Sequence, residues 1–343
     1  MRDLFFYGTL RHLPLLEVVM GAPVTALNIQ DAVLPDHVVL AVAEGPFPMI
    51  QSQPGGQARG LLLRGLTAEQ IDRLDFYEGS FAYDLRSVTL ADGQTAEVYF
   101  PQPDQWTGQD PWSLEAWEAH WAAISCHAAA EVMGYLGQRS KEAVAQMFPV
   151  IRARAASRVN AAHSHHGERT LQGQIDEQSR TRAYSHFFAL DDIKLRHERF
   201  DGTMSASLDR AVFIAADAAI LLPYDPVRDR VLLVEQMRMG PFARGDRACW
   251  QLEPIAGRMD AGETPMQTAR REAQEEAGLK LSSIESVAEV YASPGNSTEF
   301  YYIFCGLADL PDSVAGLGGL ETENEDIRSH LLSVDALMEL VEG

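Results

Sequence analysis

The sequence predicts a chain of the mixed α/β class (α+β / α/β), organised as two domains with a helical connector between them. Three observations carry that expectation. A length of 343 residues exceeds one typical domain. Apolar runs of strand length, bounded by Gly, Pro or Asp, accompany capped helices in residues 3–100 and again from His186 onward. Between these regions the texture changes. Trp106, Trp112, Trp117 and Trp121 crowd together ahead of Ala-rich helical sequence that runs to about Ala162. The expected boundaries are 1–102, 103–180 and 181–343.

In the first region Leu4–Tyr7 and Val38–Val42 read as strands. Thr67 and Gln70 form a capping box that opens a helix through Leu74. Leu85–Leu90 and Ala96–Phe100 flank Asp92-Gly93 and predict a hairpin. The tryptophans of the second region are expected on amphipathic helices that pack their aromatics between the two domains; a ligand platform is the alternative. The following SHHGERTLQG reads as a linker. Its neighbour His163, with His165 and His166, is read as solvated, because no Cys or acidic residue shares a metal-ligand spacing with them. In the third region Val212–Leu222, Val231–Gln236, Val287–Ala292 and Phe300–Gly306 are the expected strands.

Composition narrows the partners. The balance of 28 Lys+Arg against 49 Asp+Glu, a formal charge of −21, disfavours duplex nucleic acid. It does not exclude small phosphorylated ligands, whose binding is local and metal-assisted. Cys126, Cys249 and Cys305 stand far apart without zinc-type spacing, which fits a reducing compartment and no disulfide framework. The opening MRDLFFYGTLRH lacks the apolar run of a signal peptide. Ala211 to Pro223, the longest apolar stretch, is interrupted by Asp217 and too short to span a bilayer. The expectation is a soluble, cytoplasmic protein with no nucleic-acid or membrane partner.

The most specific segment lies between Gly257 and Leu279. Gly257, Glu263, Arg271, Glu272, Glu275, Glu276 and Gly278 stand in the pattern G-x5-E-x7-R-E-x-x-E-E-x-G, a chance match on the order of one in a million for a chain this long. Thr264 can cap a helix here, Pro265 suits its first position, Gln267 completes a capping box and Gly278 is a natural stop. Met266, Ala269 and Ala273 recur at helical steps, so they predict the inward face. Glu272, Glu275 and Glu276 fall on another face, close enough to repel one another unless a cation neutralises them. Hard oxygen ligands of this kind suit Mg²⁺ or Mn²⁺. A solvated acidic helix face is the alternative. Arg271 is read as the bidentate donor that orients the carboxylates.

This segment resembles the Nudix box, the signature of hydrolases that cut a nucleoside diphosphate linked to another group. From about Ser185 to Gly343 the chain is similar to one Nudix branch, the ADP-ribose pyrophosphatases. The similarity lies in RHERFDG (Arg196–Gly202), LVEQMR (Leu233–Arg238), LEPIAG (Leu252–Gly257), SPGNSTE (Ser293–Glu299) and GLETENEDI (Gly319–Ile327). The resemblance implies an α/β/α sandwich that hydrolyses ADP-ribose to AMP and ribose 5-phosphate. It assigns the metal to the Ala256 carbonyl, Glu272, Glu276 and Glu325. Glu323 would be the loop base that activates water, and Glu275 would share metal or water positioning. Arg238, Glu253 and Arg199 would contact substrate, with surface ion pairs as the alternative for all three. A homodimer is implied through the segment near Tyr184–Asp201. Another nucleotide sugar or dinucleotide is the competing substrate class, and a non-catalytic nucleotide sensor the competing function. Members of the resembled branch continue past SVDALMELVEG with a further helix. The expectation is that residues 103–162 complete that packing or that the carboxyl end is abbreviated.

At the amino end, FYGTL (Phe6–Leu10) and LDFYEGSFAYDLRSVTL resemble the gamma-glutamylcyclotransferase-like (AIG2-like) family, small mixed β-barrels. Over residues 3–100 the resemblance implies that Tyr7, Gly8, Thr9 and Leu10 form a loop whose backbone N–H groups hold a substrate carboxylate. Glu78 would shuttle a proton as the substrate amine closes 5-oxoproline, Tyr83 would line the pocket, and Arg86 would make a structural pair. A helix-end carboxylate is the alternative for Glu78. The domain could instead bind a gamma-glutamyl compound and modulate its neighbour, or serve as a dimerisation surface.

Overall fold

A computed structural model describes residues 1–78, 83–163, 172–319 and 325–342. The chain divides into two compact units, Met1–His163 and Ser164–Gly343. The first contains β1 (Arg2–Phe6), α1 (Leu13–Met20), β2 (Asn28–Val42), β3 (Gly45–Leu66), α2 (Ala68–Glu78), β4 (Tyr83–Thr89), β5 (Thr95–Pro101), β6 (Gly108–Pro111), α3 (Leu114–Gly134) and α4 (Lys141–His163). Its sheet runs in the order β4-β5-β1-β3-β2-β6. β1 lies parallel to β5 and antiparallel to β3, and no pairing joins β4 to β6 among the described residues. Phe5, Leu34, Ile50, Leu62 and Val98 form the core on this sheet.

The capping box opens α2 as expected. Thr67 N–H donates to Gln70 Oε1 at 2.9 Å and Gln70 N–H to Thr67 Oγ1 at 3.2 Å. The helix then buries Ile71, Leu74 and Tyr77 and ends on Glu78. The Asp92-Gly93 hairpin also forms, with Thr89 opposite Thr95 and Gly93 at φ 85°.

The helices expected to connect two domains fall inside the first unit. The reason is burial. α3 carries Trp117, Ile124, Ala128 and Val132 inward, and α4 carries Val144, Met147 and Ile151 inward. The two helices pack on one another, and α3 also packs on α1. Trp117 Nε1 donates to the Pro46 carbonyl at 2.7 Å, Trp106 stacks edge-on to Phe47, and His12 Nδ1 meets Glu118 at 2.7 Å. The aromatics therefore pack against this unit's own strands and loops. His163 Nδ1 meets the Val159 carbonyl at 2.8 Å; His165 and His166 lie outside the described residues.

The second unit contains β7 (Ile175–Ser185), β8 (Ala189–His197), β9 (Leu208–Ile214), β10 (Ala218–Asp225), β11 (Arg230–Met237), α5 (Met239–Arg244), β12 (Trp250–Glu253), β13 (Ile255–Arg258), α6 (Pro265–Ala277), β14 (Leu281–Tyr291), β15 (Phe300–Ala308), β16 (Leu317–Gly318), β17 (Ile327–Ser333) and α7 (Val334–Glu342). β7, β8 and β9 form a three-stranded sheet. The larger sheet runs β14-β15-β10-β11-β17-β16, with β12 on β11 and β13 on β10. α6 packs on β10 and β13, and α7 on β11 and β17. Leu221, Leu232, Val234, Ile255, Phe304 and Ile327 meet Ala269 and Ala273 of α6 in one core.

Two expectations are corrected here. Val212–Leu222 is not one strand: it breaks at Ala215–Asp217, and its halves enter different sheets as β9 and β10. Ala215 exchanges hydrogen bonds with Thr298 Oγ1, both at 2.9 Å, and the Asp217 carbonyl accepts from Met259 N–H at 2.9 Å. The backbone groups at the break are thus satisfied by distant segments, which no local period encodes. Of the expected inward face of α6, Ala269 and Ala273 are buried but Met266 is 52% exposed. Thr268, Glu272 and Glu276 turn inward beside the two alanines.

The α3–α4 hairpin turns on a buried ion pair. Arg154 Nη2 lies 2.5 Å from Glu131 Oε1, and the two side chains are 4% and 15% exposed. Glu131→Ala leaves a buried guanidinium without its carboxylate, a loss of about 3–5 kcal/mol. It should lower the unfolding temperature in calorimetry of the full chain, and Glu131→Leu with Arg154→Met should recover most of that loss. A double variant no more stable than Glu131→Ala would place the loss elsewhere in the hairpin.

Candidate functional site

In the second unit the site is built on α6. Thr264 and Gln267 close its capping box and Gly278 ends it in the left-handed region at φ 63°, so local sequence defines both ends of the helix. Arg271 then gathers the acidic groups. Its Nε and Nη2 reach the two oxygens of Glu263 at 2.9 and 3.0 Å. Nη1 reaches Glu272 at 2.6 Å and Glu275 at 3.0 Å, and Nη2 also donates to the Arg258 carbonyl at 3.1 Å. These contacts, the Glu263 pair foremost, raise the Arg271 pKa above the ordinary guanidinium value. Glu263 is itself held by Thr268 Oγ1 at 2.8 Å and the Asp260 N–H at 3.1 Å.

Gly257 permits the close approach. A Cβ there would come within 1.8 Å of Glu272 Oε1, inside any allowed contact. Glu276 is 2% exposed, and its Oε2 has no hydrogen-bond partner among the described residues. Burial pushes its carboxyl up to about 8, and the charges of Glu272 and Glu325 push in the same direction. Burial likewise raises Glu272 to about 7. A buried carboxylate oxygen without a donor among the described residues, beside the charges of Glu272 and Glu325, fits a divalent cation with oxygen ligands. Among the described residues no three ligating side chains already converge on one point, because Glu272 is turned onto Arg271.

The remaining candidates are placed as follows. Ala256 lies on β13 opposite Ile220 of β10. Arg238 Nε pairs with Glu253 Oε1 at 2.7 Å, half-exposed, so the ion pair foreseen as an alternative is present. The Arg238 charge also acts on Glu276, which sets the pair beside the acidic cluster. Burial raises the Glu253 carboxyl despite Arg238. Arg199 sits in the exposed turn after β8, its N–H donating to Thr203 O at 2.8 Å. Glu275 contacts Arg271. Glu323 lies outside the described residues. Two members of the arrangement were not foreseen as site residues: Glu263, although it stands in the motif, and Thr268, whose buried hydroxyl only the folded helix brings to it.

In the first unit a cavity of about 100 Å³ is lined by Tyr7, Gly8, Thr9, Leu10, Glu78 and Tyr83, among others. Residues from β1, from the turn after it, from the end of α2 and from the start of β4 thus converge on one space. Burial pushes the Glu78 carboxyl up to about 7. Tyr7 OH donates to the Tyr99 carbonyl at 3.0 Å. Burial, with the nearby Glu78 charge, raises both phenols. Glu78 is therefore more than a solvated helix-end carboxylate. Arg86 lies 3.5 Å from Asp84 and over the Phe100 ring, the structural role expected of it.

Comparison with known proteins finds a family model in each half of the chain. Residues 215–342 match the NUDIX domain model, and residues 4–119 match the model for gamma-glutamyl cyclotransferase, AIG2-like. The ADP-ribose pyrophosphatase of Escherichia coli (strain K12) is 42% identical over 164 residues, 48% of this chain and 78% of that protein. The ADP-ribose pyrophosphatase of Haemophilus influenzae is 38% identical over 151 residues, 43% of this chain and 69% of that protein. A GDP-mannose pyrophosphatase of Escherichia coli (strain SMS-3-5) is 30% identical over 155 residues, 45% of this chain and 79% of that protein. With its acidic helix held on Arg271 and this similarity across most of the length of two pyrophosphatases, the chain belongs to the Nudix hydrolases and carries an AIG2-like gamma-glutamylcyclotransferase domain ahead of the Nudix domain.

Proposed function

We propose that the Nudix domain hydrolyses ADP-ribose to AMP and ribose 5-phosphate, with Mg²⁺ or Mn²⁺ held by the Ala256 carbonyl, Glu272, Glu276 and Glu325. The buried Oε2 of Glu276, without a hydrogen-bond partner among the described residues and beside the charges of Glu272 and Glu325, carries this reading. Such an ion screens the diphosphate charge and lowers the pKa of a bound water. Glu323 accepts the proton of the attacking water, whose oxygen bonds to phosphorus as the phosphoanhydride P–O bond breaks. Arg271 fixes the carboxylates, and Glu275 shares in positioning water. Arg238 and Glu253 meet the substrate beside the cluster, and Arg199 contacts it from the turn after β8. The 30% identity to a GDP-mannose pyrophosphatase favours a second reading, another nucleoside diphosphate derivative. Exposed Tyr184, Phe187, Phe188 and Phe200 support a homodimer through the β7–β8 region. Three free cysteines support work in the reducing cytoplasm.

In the amino-terminal domain we propose cyclotransfer on a gamma-glutamyl compound. The substrate amine attacks the gamma-carbonyl carbon and the bond to the departing amine breaks. Glu78 moves the proton from the attacking nitrogen to the leaving one, and the Tyr7–Leu10 loop holds the substrate carboxylate. A cavity that gathers the motif residues around a carboxyl raised to about 7 supports this reading.

In a panel of nucleoside diphosphates, AMP release from ADP-ribose should require the divalent ion, and Glu276→Gln should lower kcat by about 100-fold with the fold retained. Full activity in EDTA would overturn the metal set. Glu323→Gln should cut turnover while Mn²⁺ binding, read by electron paramagnetic resonance, stays nearly intact, whereas Glu325→Gln should weaken Mn²⁺ binding. The reverse pair of phenotypes would exchange the two roles. Release of 5-oxoproline from a gamma-glutamyl panel should fall about 10²–10⁴-fold in Glu78→Gln. Because the proton-accepting form is the carboxylate, wild-type kcat/KM should rise with pH through about 7. A profile flat across that range would remove Glu78 from proton transfer.

A further inference from the structure

The cavity of the amino-terminal domain has a side that its motif residues do not build. Ile124, Ser125 and Ala128 of α3, with Phe148 and Arg152 of α4, line it. All five lie beyond residues 4–119, the span that matches the cyclotransferase model. Residues 124, 125 and 128 share a face of α3, and 148 and 152 share a face of α4. The buried Glu131–Arg154 pair joins the two helices. α3 also packs on α2, which ends on Glu78, so the helical wall and that carboxyl meet in one cavity.

The same hairpin fixes a second apolar surface. Trp117 of α3 donates through Nε1 to the Pro46 carbonyl at 2.7 Å. That bond anchors the start of β3, whose Pro46, Phe47 and Pro48 also line the cavity. Phe47 is packed edge-on against Trp106, with ring centroids 4.8 Å apart. Ile124, Ala128 and Phe148, with Phe47 and its flanking prolines, thus give the cavity an apolar side. Arg152 is engaged within the protein. Its guanidinium carbon lies 5.2 Å from the centroid of the Trp121 ring and 6.0 Å from that of Phe148, and its charge acts on Tyr77.

In the cyclotransferase reading, the Gly8–Leu10 backbone holds the substrate carboxylate, and Glu78 serves the attacking and departing nitrogens. What leaves is the amine bound to the gamma-carbonyl, and its substituent needs a surface of its own. An alkyl group buried on an apolar surface gains about four-fold in binding per methylene removed from water. A charged end placed there loses hydration that apolar side chains do not replace.

We propose that the α3–α4 hairpin makes this cavity selective for gamma-glutamyl amides of neutral, apolar amines, with Ile124, Ala128 and Phe148 as the residues that set the preference. The proposal rests on the cyclotransferase reading for its reaction, but its recognition step can be measured separately. The probes are the gamma-glutamyl amides of methylamine and n-butylamine, and two analogues of the butyl compound. One analogue, from 1,4-diaminobutane, ends in an ammonium; the other, from 4-aminobutyrate, ends in a carboxylate. With the full-length protein, kcat/KM for 5-oxoproline release should be about ten-fold or more higher for the butylamide than for the methylamide, mostly through KM. The butylamide should exceed both charged analogues by about ten-fold or more. Calorimetry with Glu78→Gln, which removes turnover but leaves the wall, should give the same order of binding. Ile124→Ala and Phe148→Ala should each lower the butylamide-to-methylamide ratio by about three-fold or more, through lost apolar contact. Ala128→Leu, which fills the space instead of emptying it, should lower the ratio as well. The melting transition of each variant separates lost selection from lost folding, and the wild-type series is decisive without any variant.

A butylamide no better than the methylamide, or a charged analogue preferred to it, would overturn the apolar wall and leave the cyclotransferase reading standing on the 5-oxoproline released. Folded variants that all keep the wild-type ratio would overturn the assignment to the hairpin. The expected order in binding, without 5-oxoproline from any probe, would overturn the reaction and leave the wall. Absence of both binding and turnover would overturn both.

Discussion

One guanidinium organises the catalytic half of this protein. Arg271 holds Glu263 through both oxygens, takes one oxygen each from Glu272 and Glu275, and donates to the Arg258 carbonyl. Without that donor, three carboxylates within two turns of one helix would repel one another and fray it. With it, α6 keeps its charge on a defined side and β13 is tied to the helix that packs on it. Gly257 then becomes a steric requirement, because Glu272 occupies the volume in which any larger residue would place its Cβ.

The same arrangement leaves one element unsatisfied. Glu276 is as buried as a core residue, yet one of its oxygens has no donor among the described residues. Ordinary proteins hydrogen-bond such groups, and the exceptions mark places where something else supplies the positive charge. The neighbouring Arg238 is already engaged with Glu253. A divalent cation would lower the raised carboxyls together, whereas a lone proton would satisfy only one of them. In the amino-terminal domain, burial raises Glu78 in a different setting, a cavity rich in tyrosines. Two carboxyls are thus displaced from the ordinary range by the same physical cause, one in a cluster of like charges and one in a cavity.

The helical segment after the first sheet gains meaning from its packing. Read alone, its tryptophans and alanines describe amphipathic helices in search of a partner. Folded, they close one side of the amino-terminal cavity, with Trp117 hydrogen-bonded to Pro46 and Trp121 stacked on Arg152. A buried Glu131–Arg154 pair contributes less to net stability than to holding the hairpin in one register, since desolvation offsets much of its attraction.

What the sequence determined by itself is what a few neighbouring residues encode. The caps of α2 and α6, the Asp92-Gly93 turn, the spacing of Arg271 and its glutamates, and the FYGTL motif all act within one or two turns of chain, so their outcome is local. Tertiary structure decided the rest. Met266 fits the apolar period of α6 as well as Ala269 does, but it is exposed while Thr268, Glu272 and Glu276 turn inward. That choice depends on β10 and β13 lying beneath the helix. The break at Ala215–Asp217 is invisible in an apolar run, because Thr298 and Met259 satisfy its backbone groups from far along the chain. The same holds for α3 and α4, whose inward faces could have served any apolar partner. Periodicity says that a face must be buried; only the assembled chain supplies the surface that buries it.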